Sequence, residues 1–198
     1  MLQRRNLEKR GIILFVAFLV LLSACNNTKI PNAKNWPIDD FTFIDQNGRS
    51  FGLKNLKGKV WVADFVFTNC KTVCPPMTAN MVKLQRMAKK EKLDVEFVSF
   101  SVDPEIDKPE MLKQYASKFH ADLSNWHFLT GYSQKEIEAF AQKNFKTIVQ
   151  KPQRGDQVIH GTDFYLLDQN GNIVQSYNGW SDVPYEQILK HIKILQSS

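Results

Sequence analysis

Apolar positions along the chain switch between a period of two and a period near 3.6, and the switches mark its elements. Phe41, Phe43 and Asp45 alternate with Thr42 and Ile44 ahead of Gln46-Asn47-Gly48, a hairpin-type turn leading into Arg49-Ser50-Phe51. Leu56-Lys57-Gly58-Lys59 turns the chain into Val60 to Phe67, a near-continuous apolar run that suits a central strand covered on both faces. After Thr68 to Pro76, a helix is predicted on which Met77, Met81, Leu84 and Ala88 share one face. Val95 to Phe100 reads as a second buried strand. Asp107 and Glu110, and again Ser133 and Glu136, sit at capping-box spacing for two further helices. A polar segment from Lys146 to Gln157 leads to a strand over Thr162 to Asp168, a turn at Gln169 to Asn172, a partner strand from Ile173 to Tyr177, and a closing helix carrying Ile188, Leu189, Ile192 and Leu195. This α/β alternation, ending in a hairpin and a helix, is the order of a thioredoxin-like sheet. No repeat, low-complexity tract or Pro/Gly-rich linker interrupts it, so one domain is expected over residues 36–198.

The first 24 residues follow another pattern. Arg4, Arg5, Lys9 and Arg10 precede an apolar run from Ile12 to Leu22, short of the ~18–20 residues that span a bilayer, and then Ser23-Ala24-Cys25. This describes a secretory signal over residues 1–24. Leu22-Ser23-Ala24-Cys25 resembles a lipobox, which implies lipidation of Cys25 and a tether over residues 25–35; an uncleaved N-terminal anchor is the alternative. Either places the domain outside the cytoplasm on a membrane. Cleavage removes four basic residues and one acid, so the formal charge of +6 falls to +3. The remaining Lys and Arg form no continuous stripe interleaved with aromatics, which argues against a nucleic-acid partner.

Of the three cysteines, Cys70 and Cys74 remain in the domain, between a buried strand and a helix start marked by Pro75 and Pro76. One helical turn brings their Cα atoms within about 6 Å, close enough for a disulfide or for two sulfurs on one metal. The positive end of the helix favours thiolate over thiol. A structural disulfide would close only a three-residue loop and stabilise little. A closed zinc site lacks a fourth ligand. Redox or copper chemistry fits best.

Phe67-Thr68-Asn69-Cys70-Lys71-Thr72-Val73-Cys74-Pro75 resembles the F-T-x-C-x-x-x-C-P signature of the Sco family, extracytoplasmic proteins that help assemble copper in cytochrome c oxidase. Ser101 to Asp107 is similar to the family's S-V-D-P-x-x-D stretch, and His160 with Asp163, Tyr165, Leu166 and Asp168 to its H-x-x-x-x-Y-L-x-D segment. Lys71 replaces a proline common in that position. The resemblance implies a thioredoxin-like fold with an additional hairpin, and a copper site of Cys70, Cys74 and His160, with Lys146 to Ile159 as a mobile flap. Two thiolates suit Cu(I) and an imidazole admits Cu(II), so either ion is expected.

Asp103, on a loop beyond a strand's carboxyl end, is a candidate supporting or partner-contact residue. Asp107 is read as a helix cap, Met77 and Met81 as core, and His120, His127 and His191 as structural or exposed, with His191 solvated. Asp64 is either a buried acid near the thiols or an outward-facing residue. The function implied is a membrane-anchored metallochaperone serving the binuclear copper centre of oxidase subunit II. The alternative is a thiol–disulfide oxidoreductase that keeps the client's cysteines reduced, using Cys70 and Cys74 but not His160. Both need a thiol reductant to reset the pair. A peroxidase is disfavoured, since the usual Thr and Arg surroundings are not recognisable around Cys70.

Overall fold

The computed structural model describes residues 29–197; the signal segment 1–24 and Cys25 lie outside them. In chain order the elements are β1 (Trp36–Pro37), β2 (Thr42–Asp45), β3 (Ser50–Gly52), α1 (Leu53–Leu56), β4 (Val60–Val66), α2 (Cys74–Lys90), β5 (Val95–Ser101), α3 (Pro109–Lys118), β6 (Trp126–Thr130) and α4 (Gln134–Phe140). A π-helical turn, Ala141–Phe145, extends α4, and β7 (Val149–Gln150), β8 (Ile159–His160), β9 (Asp163–Leu167), β10 (Asn172–Asn178) and α5 (Tyr185–Gln196) follow. Eight strands form one mixed sheet in the order β1-β10-β9-β4-β5-β6-β2-β3, while β7 and β8 pair apart from it. β4, β5 and β6 run parallel, and β9 returns antiparallel beside β4. The fold is α/β and thioredoxin-like, and the β7–β8 pair is the additional hairpin.

The two faces of the sheet are covered differently. β4 and β5 are buried at every position, as strands with partners on both edges and layers on both sides must be. On one face Phe65 and Phe100 pack with Phe41, Phe140 and Phe145 at centroid separations of 5.1–5.6 Å. On the other, Asp64 and Ser99 lie at matched positions of β4 and β5, in a layer with Trp126 and Phe128. Phe128 meets Tyr115 of α3 edge-on, and the Tyr115 hydroxyl lies 2.7 Å from Thr78 of α2. Met77 and Met81 are fully buried under α2, as their spacing predicts. Among the described residues no helix is long and apolar enough to cross a membrane.

Three details depart from the sequence reading. The N-cap of α3 is Lys108, followed by Pro109, so Asp107 caps nothing; tertiary donors take its carboxylate instead. His191 is buried at 5% exposure, not solvated, and its Nδ1 lies 2.7 Å from the Tyr177 hydroxyl. The segment predicted as a tether already packs at its end: Ile30 is buried and the Lys34 N–H donates to the Val174 carbonyl at 2.9 Å.

Candidate metal centre

β4 delivers its chain to the site through a loop that the next crossover holds in place. Past Val66, the Val102 N–H donates to the Val66 carbonyl at 2.9 Å and prolongs the β4–β5 pairing. Asp107, fully buried, accepts from the Thr68 hydroxyl at 2.5 Å, from the Thr68 N–H at 3.2 Å and from the Ser101 hydroxyl at 2.6 Å. Thr68 stands two residues before Cys70, so one carboxylate ties the loop after β5 to the loop that carries the first cysteine. Burial raises the Asp107 pKa, and these hydrogen bonds oppose the rise.

The start of α2 then fixes the sulfurs. Val73, the N-cap, has no side-chain oxygen to accept from the first turn. Pro75 and Pro76 have no N–H to offer, and the Cys74 N–H donates to the Cys70 sulfur at 3.3 Å. Cys70 thus caps the helix in place of a serine or aspartate, and the helix dipole favours negative charge on it.

His160 approaches from the opposite side, on β8. Val149 pairs with His160 and Gln150 with Ile159, which makes the predicted flap an ordered hairpin. The imidazole Nδ1 lies 2.8 Å from the Gly161 carbonyl, which can only accept, so Nδ1 carries the proton and the Nε2 lone pair faces the cysteines. Nε2 is 3.2 Å from the Cys74 sulfur, and the ring meets Phe67 edge-on at 5.8 Å. Gly161 lets the hairpin close: a Cβ there would stand 2.2 Å from the Thr147 hydroxyl. A cleft of about 290 Å³ opens between Phe67, Cys70 and Val73 on one side and Val158, Ile159 and His160 on the other.

The two thiols are free and unequal. A hydrogen bond from Cys74 holds the Cys70 thiol well below its ordinary range, helped by backbone N–H groups at Thr72 and Cys74 and opposed by burial. Burial, and then the adjacent Cys70 sulfur, push Cys74 far up, so it keeps its proton. Beneath them Asp64 is fully buried, which resolves its two readings. Its Oδ1 accepts from Ser99 at 2.6 Å, and Ser99 accepts from the Trp126 indole at 2.9 Å. Among the described residues its Oδ2 has no partner. Burial pushes its pKa up to about 7, against the Ser99 bond and nearby His160.

The Sγ atoms of Cys70 and Cys74 and a ring nitrogen of His160 lie within 4.8 Å of one another, and this is the one such cluster of three or more among the described residues. The donor set fits copper in either oxidation state, because soft sulfurs hold Cu(I) and imidazole accepts Cu(II). Asp103 does not join the cluster; its Oδ1 accepts from Lys151 at 2.8 Å. His127 stacks on Phe51 at 3.9 Å and meets Glu96, while His120 is exposed, so neither approaches the sulfurs as a ligand. Asp107 and Gly161 are the functional residues that sequence reasoning missed. Asp107 lies in the S-V-D-P-x-x-D stretch, and that was the available signal.

The family model described as SCO1/SenC matches residues 31–196. A crystal structure of a SCO1/SenC family lipoprotein from Bacillus anthracis is 59% identical, covers 84% of this chain and 99% of its own, and superposes with a TM-score of 0.82. BsSco, a member of the Sco family of cytochrome c oxidase assembly proteins with a disulfide switch, is 50% identical over 86% of this chain and 99% of its own, with a TM-score of 0.80. Bradyrhizobium japonicum ScoI with copper bound is 28% identical, covers 80% and 99% respectively, and has a TM-score of 0.67.

Proposed function

The chain belongs to the SCO1/SenC family, and from that premise we propose that it binds copper through Cys70, Cys74 and His160 and supplies it to cytochrome c oxidase during assembly. The observation that carries this reading is the convergence of two sulfurs and an unprotonated imidazole nitrogen beside a cleft that Cys70 and His160 line. Related proteins have been seen with copper bound and described as oxidase assembly factors. Copper is cargo here. Cys70, charged before the metal arrives, provides the first sulfur; Cys74 loses its proton on binding; His160 closes over the pair with its Nε2 already free.

The client we propose is the binuclear copper centre of subunit II. Cys25 supplies a lipid anchor that holds the domain on the extracytoplasmic face of the cell membrane, where confinement raises its concentration around a membrane-bound client. The lipobox-like residues before Cys25 and the lipoprotein description of the Bacillus anthracis relative support this.

A second reading has its own support. The unequal thiols suit an attacking Cys70 thiolate and a resolving Cys74, and a relative carries a disulfide switch. In that reading the pair reduces the client's cysteines, and a thiol reductant resets it. One experiment separates the two: anaerobic titration of the reduced protein with copper, followed by absorption and electron paramagnetic resonance, for wild type and His160→Ala. A sulfur-to-Cu(II) charge-transfer band altered by His160→Ala and abolished by alkylating Cys70 and Cys74 is expected. Absence of binding with either ion would leave only the thiol reductant.

A further inference from the structure

The hairpin that carries His160 has little packing of its own. β7 and β8 pair only two residues each, and Ile148 and Ile159 stay exposed, leaving Val149 and Val158 as its buried apolar side chains. A two-stranded hairpin of this size is marginal in water. Its position must come from what ties it to the body.

Two ties cross from the loop of residues 151–158, and they differ in kind. On one arm the Lys71 ammonium meets Asp156 at 3.4 Å, with both side chains well exposed, and Gln157 donates to the Asn69 carbonyl at 3.2 Å. An exposed pair of this sort adds little. On the other arm Lys151 Nζ donates to Asp103 at 2.8 Å and to Glu105 at 2.7 Å, while its backbone N–H donates to Glu138 at 3.0 Å. The Asp103 side chain is only 4% exposed and that of Lys151 24%, so this pair is poorly screened. Removing the ammonium would strand a buried carboxylate, which makes separation expensive. Asp103 is itself fixed, since its N–H donates to the Ser101 hydroxyl that also serves Asp107. Lys151 therefore fastens the His160 hairpin to the same loop that Asp107 fastens to Thr68.

We propose that Lys151 is a positioning residue: through Asp103, with Glu105 as an outer partner, it latches the β7–β8 hairpin over Cys70 and Cys74 and makes opening of the site depend on this charge pair. The proposal rests on the copper reading above for its consequence, though not for its geometry. With the latch closed, His160 stays within reach of the sulfurs; a partner whose own cations compete for Asp103 and Glu105 would release the hairpin where metal is to be passed on.

The test uses wild type, Lys151→Met, which keeps the aliphatic stem, and Lys151→Arg, which keeps the charge. Amide hydrogen exchange on the reduced, metal-free protein is expected to quicken about tenfold over residues 149–160 in Lys151→Met, with β4 and β5 unchanged. Lys151→Arg is expected to remain close to wild type. Release of Cu(I) to a chelator is expected to be faster in Lys151→Met than in wild type or Lys151→Arg, with the difference persisting at raised ionic strength because the Lys151–Asp103 pair is poorly exposed. Equal hairpin exchange in Lys151→Met and wild type would overturn the latch. So would equal rates of Cu(I) release from the two proteins. If wild type holds no copper, the copper reading fails while the exchange comparison still judges the latch.

Discussion

Replacing Asp107 with alanine tests whether the loop before Cys70 is held from below. The substitution leaves three donors without acceptors: the hydroxyl and N–H of half-buried Thr68 and the hydroxyl of buried Ser101. A stranded buried donor costs about 1–3 kcal/mol and a half-buried one less, the hydroxyls can turn toward other acceptors, and removing a carboxylate whose pKa burial has raised gives part of the loss back. A net loss of about 3 kcal/mol is the balance, or roughly 6–12 °C in Tm for a domain of this size. Asparagine fills the same volume, can accept from the Thr68 N–H and can donate to a hydroxyl turned to receive it, so Asp107→Asn is expected to lose only ~1 kcal/mol. Urea unfolding of the reduced, metal-free protein measures both variants, with unchanged m-values as the check that the states compared are the same. Copper affinity should fall by about 10–100-fold in Asp107→Ala, the range seen when support of a metal ligand is removed. An alanine variant within ~0.5 kcal/mol of wild type, or as stable as the asparagine variant, would refute the clamp.

Other outcomes follow from the same geometry. Gly161→Ala places a Cβ 2.2 Å from the Thr147 hydroxyl and should displace His160, lowering copper affinity; Thr147→Ala in the same chain should recover most of it, as read by chelator competition. Iodoacetamide near pH 5, followed by peptide mass analysis, should label Cys70 and spare Cys74, because one thiol is held low and the other is pushed up and fully buried. Asp64 has a folded pKa raised to about 7 from 3.8, so its contribution to stability is full below pH 3.8 and is lost as pH rises through 7. Asp64→Asn should therefore gain on wild type between pH 4 and pH 8, by up to ~4 kcal/mol at about 1.4 kcal/mol per unit, and a pH-independent difference in urea midpoint would contradict this.

Long periodic segments were legible in the sequence because burial alone decides them. β4 reads as central from its unbroken apolar run, α2 from the Met77, Met81, Leu84, Ala88 face, and α5 from Ile188, Leu189 and Ile192. Short elements were not. β1, α1 and the β7–β8 pair span two to four residues each, and partners distant in sequence create them. The site's ligands were legible through spacing and motif, whereas their supports depend on tertiary donors. Asp107 and Glu110 match a capping box locally, yet Thr68, some forty residues earlier, claims the carboxylate. His191 follows Ile188 by three positions, on the face that packs inward, so its polarity misleads where its phase does not. Asp64 could not face outward once β4 was recognised as buried on both sides.

The prolines that follow Cys74 also decide which guests the mouth of α2 rejects. A bare helix N-terminus gathers phosphate or carboxylate by pointing several N–H groups at its oxygens. Here Pro75 and Pro76 delete two of those groups, and Cys70 sulfur already occupies the one that Cys74 offers. What remains is a positive field without a multidentate donor cradle. Hard oxyanions find no purchase there, while the polarisable sulfurs stay open to a soft cation.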